Sequence, residues 1–333
     1  MNIIVPMAGR GSRLRPHTLT VPKPLLPVGG KPIVERLVED IVAMSAEPVE
    51  EIAFVIGDFG AETEAQLLSI AERLGAKGHI CHQHEPLGTA HAILCGSACL
   101  SGPVVVAFAD TLFRADFTIN PQADGVLFVK QVEDPGAFGV VVTDAQGAIE
   151  DYVEKPDEFV SDLAMIGIYA FKDGVRLKDE LQKLIDDNVI KGGEYQLPDA
   201  LRNMTQSGLQ FEAGEVTEWM DCGNKIATVD TNQRILNLTA AQTGIPASAT
   251  IIDSTILSPC FIGENVRIER SVIGPHVSVG EKTTIQDSRI ENSLIQNHTV
   301  ITNKILSGSM IGNHVQLKGS PHDISIGDYN VID

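Results

Sequence analysis

The sequence predicts an α/β domain with a mainly parallel central sheet, followed by a short β-helix. Two observations lead to this fold class. Over residues 1–240, short apolar runs alternate with helical patterns, which is typical of a parallel sheet with crossover helices. Beyond residue 247, single aliphatic residues recur every five or six positions, a period that neither a helix nor an alternating strand produces. We therefore expect two domains, at residues 1–240 and 248–333.

The elements of the first domain follow from its apolar runs. Buried strands are expected at 3–6, 52–56, 104–109, 126–129 and 166–171. Helical patterns lie between several of these strands, at 33–44, 62–74 and 89–99. A later helix, at about 223–240, is expected to close this domain.

The second domain is predicted from its repeat. The recurring aliphatic residues are Ile256, Ile262, Ile268, Ile273, Val279, Ile285, Ile290, Ile295 and Ile301, and the pattern resumes at Ile311, Leu317 and Ile326. Several are followed by glycine, so that each rung turns one aliphatic side chain inward and stacks it on the next. This pattern resembles the left-handed β-helix of hexapeptide-repeat proteins, although many five-residue steps make it imperfect. An ordinary β-sandwich is the alternative.

Charge and composition exclude several classes of function. The net charge of −19 argues against a nucleic-acid partner or an anionic membrane surface. Residues 1–36 nevertheless carry six basic residues and one acid, whereas the rest carries 19 bases and 43 acids. This basic island predicts one local anionic ligand.

No apolar run is long enough to span a membrane, and the first residues lack a signal-peptide pattern, so we expect a cytoplasmic protein. The five cysteines show no metal-type pairing and are expected to be reduced.

The basic island coincides with a glycine-rich loop directly after the first strand. The loop reads GRGSRLRP, and glycines let backbone N–H groups approach a phosphate closely. It is not a dinucleotide-binding GxGxxG, because Leu14 occupies the sixth position, and it is not a P-loop. Two prolines then flank Lys23 in a stiffened segment. A rigidly placed cation suits a reaction in which phosphates must be aligned.

The run GRGSRLRPHTLTVPKPLLPVGGKPI is similar to the signature of the sugar-1-phosphate nucleotidyltransferases, of the glucose-1-phosphate thymidylyltransferase and uridylyltransferase type. The resemblance spans most of residues 1–225 and implies a Rossmann-like nucleotidyltransferase domain. It implies that the protein transfers an NMP from an NTP, with dTTP or UTP favoured, to a sugar 1-phosphate, giving an NDP-sugar and pyrophosphate. A β-helical tail is common among longer members of that family.

The resemblance also implies roles for individual residues. It implies nucleotide binding by Ala8, Gly9, Gly11, Gln83 and Gly88. It implies a catalytic role, in contact with the phosphates, for Arg13, Lys23 and Lys155. The sugar phosphate is expected to contact Gly139, Glu154, Lys155 and Ile166. Asp110 and Asp221 are expected to bind Mg²⁺. An independent argument supports Asp110, because it follows a buried strand at the edge where open α/β sheets bind ligands.

The chain departs from the family pattern at two places. Ala109 stands where the family often has glycine before the metal aspartate. Met165-Ile166-Gly167 replaces a common Asn-Ala-Gly, which removes a polar sugar contact and argues against plain glucose as the substrate.

Several alternatives remain open at this point. His79, His82, His84 and His91 invite a zinc site, but their spacing fits no recognised motif. His276, His298 and His314 lie in the predicted β-helix, where some acyltransferases use a histidine as base. A bifunctional nucleotidyltransferase and acetyltransferase and a non-catalytic regulatory subunit are therefore the competing functions. We also expect a homo-oligomer, assembled through the β-helix or the catalytic domain.

Overall fold

The protein is described by a computed structural model, which covers residues 1–9, 11–45, 47–117, 119–120, 123–241 and 244–320. These residues form two compact units. The first comprises residues 1–26 and 31–224, and the second comprises 27–30 and the chain from 225 onward. The helix expected to close the first domain therefore groups with the second unit. The division of the sequence into 1–240 and 248–333 stays a prediction.

Among the described residues, thirteen strands precede the β-helix and are numbered in chain order: β1 (Asn2–Pro6), β2 (Pro27–Val28), β3 (Lys31–Pro32), β4 (Glu51–Ile56), β5 (Lys77–His82), β6 (Val104–Ala107), β7 (Thr111–Arg114), β8 (Gly125–Gln131), β9 (Gly139–Thr143), β10 (Ile149–Glu154), β11 (Leu163–Phe171), β12 (Phe211–Glu215) and β13 (Glu218–Asp221). The α-helices are α1 (Ile33–Met44), α2 (Ala61–Arg73), α3 (Thr89–Cys95), α4 (Gly174–Asp186), α5 (Leu197–Gln206) and α6 (Lys225–Thr239). Short 3₁₀ turns span Ser12–Leu14, Lys23–Leu25, Ser97–Cys99 and Pro135–Ala137.

The central sheet of the first unit runs in the order β10-β9-β11-β6-β1-β4-β5, with β8 paired to β11 and to β12. Its parallel part consists of β6, β1, β4 and β5, whereas β11 joins β6, β8 and β9 antiparallel. The predicted α/β fold with a parallel-rich sheet is confirmed. Because parallel strands end at the same edge, the loops after β1, β5 and β6 meet there.

Burial explains why the apolar runs form strands. Every residue of β1 and of β6 is buried, since helices cover the faces of a parallel sheet. Helix α1 occupies the range that the periodicity predicts, and it buries Ile33, Val34, Leu37, Val38 and Ile41 along one face. The run expected as one helix at 89–99 instead divides into α3 and a 3₁₀ turn, and Gly96 lies between them.

The described part of the second unit contains α6 and three parallel sheets, in each of which strands from successive turns of the chain pair with one another. Their strands are β14 (Thr250–Ile252), β15 (Thr255–Ile256), β16 (Cys260–Ile262), β17 (Arg267–Glu269), β18 (Val272–Ile273), β19 (Val277–Val279), β20 (Thr284–Gln286), β21 (Arg289–Glu291), β22 (Ser293–Ile295), β23 (Val300–Thr302), β24 (Ile305–Ser307), β25 (Met310–Ile311) and β26 (Gln316–Lys318). The sheets run β14-β17-β20-β23-β26, β15-β18-β21-β24 and β16-β19-β22-β25. This arrangement agrees with the predicted β-helix, and it leaves no place for a sandwich of antiparallel sheets among the described residues.

The repeated aliphatic residues form the core of this stack. Ile268, Ile285 and Ile301 pair in register along one sheet and are fully buried. Asn232 of helix α6 accepts hydrogen bonds from the Gly29 N–H at 2.8 Å and from the Ser278 hydroxyl at 2.7 Å, so the helix is tied to the β-helix by a buried polar group. The part of the repeat at Ile326 lies outside the described residues.

Candidate active site

The glycine-rich loop after β1 is held in a compact turn. Gly11 adopts a φ of +57°, and a Cβ at this position would lie only 3.0 Å from the Cβ of Lys23. The Thr18 hydroxyl donates to the Gly11 carbonyl at 2.7 Å, which closes the loop. Arg13 follows in the first 3₁₀ turn. The close approach explains why the loop needs glycine here. Arg10, part of the basic island, lies outside the described residues.

Lys23 points into the same region from the second 3₁₀ turn. Pro22 precedes this turn and Pro24 lies within it, so the backbone around the lysine is restrained. The residue is 8% exposed. Its Nζ lies 3.0 Å from Oδ2 of Asp110, which follows strand β6. The lysine that the sequence singled out is therefore paired with a proposed metal ligand 87 positions later in the chain.

Asp110 and Asp221 are brought together by a short two-stranded sheet. Strand β13 pairs antiparallel with β7, with Asp221 opposite Thr111, and the Cys222 N–H donates to the Asp110 carbonyl at 3.0 Å. Desolvation raises the pKa of Asp221, the Gly223 N–H donated to Oδ1 at 2.8 Å opposes this shift, and the negative charge of Asp110 adds to it.

This pair of carboxylates fits a magnesium ion. Mg²⁺ prefers oxygen ligands and is commonly held by one or two carboxylates together with substrate phosphates. Burial and, to a smaller extent, the charge of Asp110 raise the pKa of Asp221, and a bound cation would offset both effects. The positive charges of Lys23 and Arg13 also lower that pKa, so all four groups act on one small region.

A second group of side chains lies at the base of the loop after β5. Gln83 donates its amide N–H to the Gly88 carbonyl at 3.2 Å and lies 3.1 Å from Nδ1 of His91. Gly88 adopts a φ of +109°, and a Cβ there would lie 2.4 Å from the backbone oxygen of Tyr195. Leu87 and Tyr195 are joined by a backbone hydrogen bond of 2.8 Å. The loop is therefore packed directly on the segment before α5.

Members of these two groups line one cavity of about 400 Å³, and Gly223, two residues after Asp221, also lies in its wall. Its wall contains most of the residues that the sequence assigned to nucleotide and phosphate binding, namely Ala8, Gly9, Gly11, Arg13, Lys23, Gln83, Gly88 and Asp110. It also contains residues that the sequence analysis missed: Met7, Ser12, Thr89, Phe108 and Glu194 among others. Glu194 follows Gly192-Gly193, and this turn signal was the one feature that could have drawn attention to it.

The residues assigned to the sugar phosphate lie elsewhere in the first unit, outside the wall of this cavity. Gly139 and Glu154 are opposite each other in the β9–β10 pair, and the Lys155 N–H donates to the Phe138 carbonyl at 3.1 Å. A Cβ at Gly139 would lie 2.6 Å from Oε2 of Glu154 and 2.7 Å from Cε of Met165.

Strand β11 contains Met165 and Ile166, the two residues that depart from the common Asn-Ala-Gly of the family. Its pairing with β8 is interrupted between Met165 and Tyr169, and Gly167 within the interruption has a φ of +83°. Such bulges often lie beside active sites because they redirect side chains. Ile166 is only 2% exposed, whereas Lys155 is largely exposed and lies 3.9 Å from Glu154. The roles of these residues toward a sugar stay predictions.

The four histidines near β5 do not gather into one metal site. His79 contacts Glu51 at 3.2 Å, His82 contacts Glu64 at 3.2 Å, and His91 faces Gln83. Within the described ranges, the single group of three potential ligands is Glu51, His79 and Cys99. It lies toward the amino ends of β4 and β5, at the sheet edge opposite Asp110. In the β-helix, His298 and His314 stack with ring centroids 4.8 Å apart.

The cavity lies at the carboxyl edge of a parallel-rich sheet and is large enough for a nucleotide. Two carboxylates and a buried lysine lie beside it. Together these features are typical of an α/β protein that binds phosphates. The nucleotidyl transferase family pattern matches residues 2–237, and the chain belongs to that family. The family expected from the sequence is thereby confirmed. No helix among the described residues is both long and apolar enough to cross a membrane.

Similar proteins match most of the chain. It is 27% identical to a glucose-1-phosphate thymidylyltransferase of Streptomyces griseus, over 96% of this chain and 94% of that protein. It is 30% identical to a bifunctional protein GlmU of Methanococcus aeolicus, over 82% of this chain and 60% of that protein. Among solved structures, an apo UDP-glucose pyrophosphorylase matches with a TM-score of 0.58 and 25% identity, over 71% of this chain and 98% of its own.

Proposed function

We propose that the protein is a Mg²⁺-dependent sugar-1-phosphate nucleotidyltransferase. The reaction joins a sugar 1-phosphate to the α-phosphorus of an NTP, with dTTP or UTP favoured, and releases pyrophosphate. The observation that carries the proposal is the Lys23–Asp110 pair of 3.0 Å beside Asp221, at the wall of the 400 Å³ cavity. The similarity to a glucose-1-phosphate thymidylyltransferase along nearly the full length of both chains supports it.

The family resemblance assigns a role to each residue. Backbone N–H groups of Gly9 and Gly11 bind the triphosphate, and Arg13 stabilises the charge of the leaving pyrophosphate. Lys23 offsets the repulsion between the two phosphates that must meet. Asp110 and Asp221 hold Mg²⁺, which when bound supplies charge neutralisation at the phosphates. Lys155 binds the sugar phosphate, and Gly139, Glu154 and Ile166 line the sugar position.

The attacking group needs no activation by the protein. A sugar 1-phosphate already carries a negatively charged oxygen, so the chain supplies alignment and charge compensation rather than a general base. One P–O bond forms between this oxygen and the α-phosphorus while the α–β phosphoanhydride bond breaks. The pyrophosphate leaves as an anion, and no covalent intermediate with the protein forms.

The experiment is a pyrophosphate-release assay with UTP, dTTP, GTP and CTP against several hexose 1-phosphates, with and without Mg²⁺. We expect release only when an NTP, a sugar 1-phosphate and Mg²⁺ are all present. Absence of release in every combination overturns the proposal and leaves the regulatory subunit as the alternative.

A second activity is favoured by one observation. Relatives named as bifunctional GlmU proteins match 98% of this chain in Listeria monocytogenes, including the β-helix. An acetyltransferase activity of the β-helix would release the CoA thiol when acetyl-CoA is mixed with an amino-sugar phosphate. Assembly into homo-oligomers and a cytoplasmic location stay predictions, to be tested by light scattering and by fractionation.

A further inference from the structure

Three potential metal ligands from distant parts of the chain meet at the amino edge of the central sheet. Glu51 begins strand β4, His79 lies in the neighbouring strand β5, and Cys99 ends the 3₁₀ turn that follows helix α3. Ala53 pairs with His79, so Glu51, two residues before Ala53, projects from the same face of the sheet as His79. The three donor atoms, one from each residue, all lie within 4.8 Å of one another.

The separations between these donor atoms match the edges of a tetrahedral zinc site. Nε2 of His79 lies 3.2 Å from Oε1 of Glu51, and Sγ of Cys99 lies 3.7 Å from Oε2 of the same carboxylate. Zinc bonds of about 2.0–2.3 Å at tetrahedral angles place neighbouring donors about 3.4–3.6 Å apart. A zinc ion therefore needs only small side-chain adjustments to contact all three donors, and a water molecule completes its coordination.

His79 supplies an observation that is independent of these distances. Its Nε2 atom is buried and has no hydrogen-bond partner among the described residues, since the 3.2 Å contact with Glu51 does not have hydrogen-bond geometry. A buried polar atom without a partner is uncommon in folded proteins and calls for an explanation. Coordination of a metal by the Nε2 lone pair of the neutral imidazole satisfies this atom.

Cys99 determines which kind of metal suits the site. Burial and, to a smaller extent, the negative charge of Glu51 raise the pKa of its thiol to about 12. Without a cation the thiol is therefore protonated near neutral pH, and its S–H donates to Glu51. Binding of a dication forms a metal–sulfur bond and releases this proton to solvent. A thiolate together with an imidazole favours Zn²⁺, whereas Mg²⁺ prefers oxygen ligands.

A metal ion can reach the site from solvent. The side chains of His79 and Glu51 are 25% and 30% exposed, whereas Cys99 is fully buried beneath them. The charged neighbour is Lys77, whose Nζ lies 3.7 Å from Oε1 of Glu51. The Lys77 side chain is 71% exposed, so it can turn into solvent when a cation binds.

We propose that Glu51, His79 and Cys99 form a zinc-binding site that ties β4, β5 and the 3₁₀ turn after α3 together. The site is separate from the Asp110–Asp221 pair, and none of its three residues lines the cavity. The proposal therefore does not depend on the proposed function, and its test requires no turnover.

The probe is Co²⁺, because a cobalt–thiolate bond has a charge-transfer absorption band that oxygen ligands do not give. Metal-free protein is kept reduced with a phosphine, supplied with excess Mg²⁺ to occupy the carboxylates of the cavity, and titrated with Co²⁺ and then Zn²⁺. We expect one equivalent of Co²⁺ to produce the band and one equivalent of Zn²⁺ to abolish it. Cys99→Ser should lose the band, and His79→Ala and Glu51→Gln should each weaken Zn²⁺ binding at least about tenfold.

The matched control is His82→Ala, because His82 lies on the opposite face of β5 and contacts Glu64. Zn²⁺ should raise the melting temperature of the wild type and of His82→Ala, but not that of His79→Ala. Absence of the band in the wild type overturns the proposal, as does an unchanged band in folded Cys99→Ser or an equal loss of Zn²⁺ affinity in the two histidine variants. If Cys99→Ser does not fold, the comparison of His79→Ala with His82→Ala decides the matter.

Discussion

Lys23 Nζ lies 3.0 Å from Asp110 Oδ2, and the lysine side chain is 10% exposed while the carboxylate is 45% exposed. The pair thus presents its anionic member to the cavity and keeps its cationic member against the protein. Burying the ammonium of Lys23 costs hydration free energy that one carboxylate only partly offsets, so the pair is weak evidence for a role in stability. The Lys23–Asp110 pair lies between the glycine-rich loop and Asp221, so we expect its main role to be in the reaction rather than in folding.

The first prediction concerns Asp110. Asp110→Asn should reduce kcat at least about 100-fold, because it removes a charged ligand of the proposed Mg²⁺, the ion that would neutralise the reacting phosphates. The melting temperature should change by only a few degrees, since the carboxylate is partly exposed. Pyrophosphate release and thermal unfolding check both parts. Asp116→Asn, a change at an exposed aspartate nearby in the sequence, is the matched control and should leave activity intact. Full activity of Asp110→Asn would remove Asp110 from the metal site.

The second prediction concerns Gly139. A Cβ here would lie 2.6 Å from Glu154 Oε2 and 2.7 Å from Met165 Cε, and both are ends of flexible side chains. The fold should therefore tolerate Gly139→Ala, while Glu154 and Met165 are displaced. We expect a rise in the KM for the sugar 1-phosphate, with the KM for the NTP unchanged. Gly244→Ala, where no heavy atom lies within 4 Å of the new Cβ, is the control. Equal changes in both KM values would contradict a local effect on sugar binding.

The third prediction concerns the β-helix. Ile285 is fully buried and Ile305 is 84% exposed, although both belong to its strands. Ile285→Ala should lower the free energy of unfolding by about 2–5 kcal/mol, because it removes buried methyl groups and leaves a cavity. Ile305→Ala should change it by less than about 0.5 kcal/mol. Chemical denaturation of the two variants measures the difference, and similar effects would argue against a packed β-helix core.

The fourth prediction concerns pH. The contact of Glu51 with Nε2 of His79, at 3.2 Å, is the largest effect on that carboxyl and lowers its pKa. Because the pKa of Glu51 is lower in the folded state, its ionised form stabilises the fold at any pH above the unfolded pKa of about 4.3. This contribution is lost as the pH falls through the pKa of the folded state. Wild type should therefore be more stable than Glu51→Gln at neutral pH.

The stability difference between wild type and Glu51→Gln should shrink toward zero in strongly acidic solution. Urea unfolding as a function of pH measures it. Glu50→Gln, at an exposed neighbour, controls for the loss of a surface charge. A difference that grows as the pH falls below the unfolded carboxyl pKa of about 4.3 would have the wrong sign and would contradict the lowered pKa.

Much of the fold could be predicted because its signals are local. The range of α1 follows from its apolar period, and β1 and β4 follow from continuous apolar runs. The strand β5 was missed because KGHICH alternates weakly and carries two histidines. The short strands β7 and β13 were missed because they are four residues long and are stabilised by pairing with each other rather than by sequence pattern.

In the candidate site too, residues close together in the sequence could be predicted, whereas contacts between distant residues could not. The loop of Gly11, Arg13 and Lys23 is contiguous, so its composition alone marked it as a phosphate site. Ile166 was assigned to the sugar from a contiguous motif, yet its side chain is buried in β11, and no sequence pattern reveals which side of a bulged strand faces a ligand. The contact between His91 and Gln83 was not predicted, because it is visible only in three dimensions.

By itself, the sequence determined the class of protein, the parallel-rich sheet, the β-helix and the basic loop, since each depends on residues close together in the chain. The tertiary structure decided which distant groups act together. Strand β6 brings Asp110 to Lys23, and strand pairing brings Asp221 beside both. It also decided that the amide nitrogen of Gln83 lies beside the Gly88 carbonyl and Nδ1 of His91. Hydrogen bonds and ion pairs act over about 3–4 Å, and folding alone sets such distances between residues far apart in sequence.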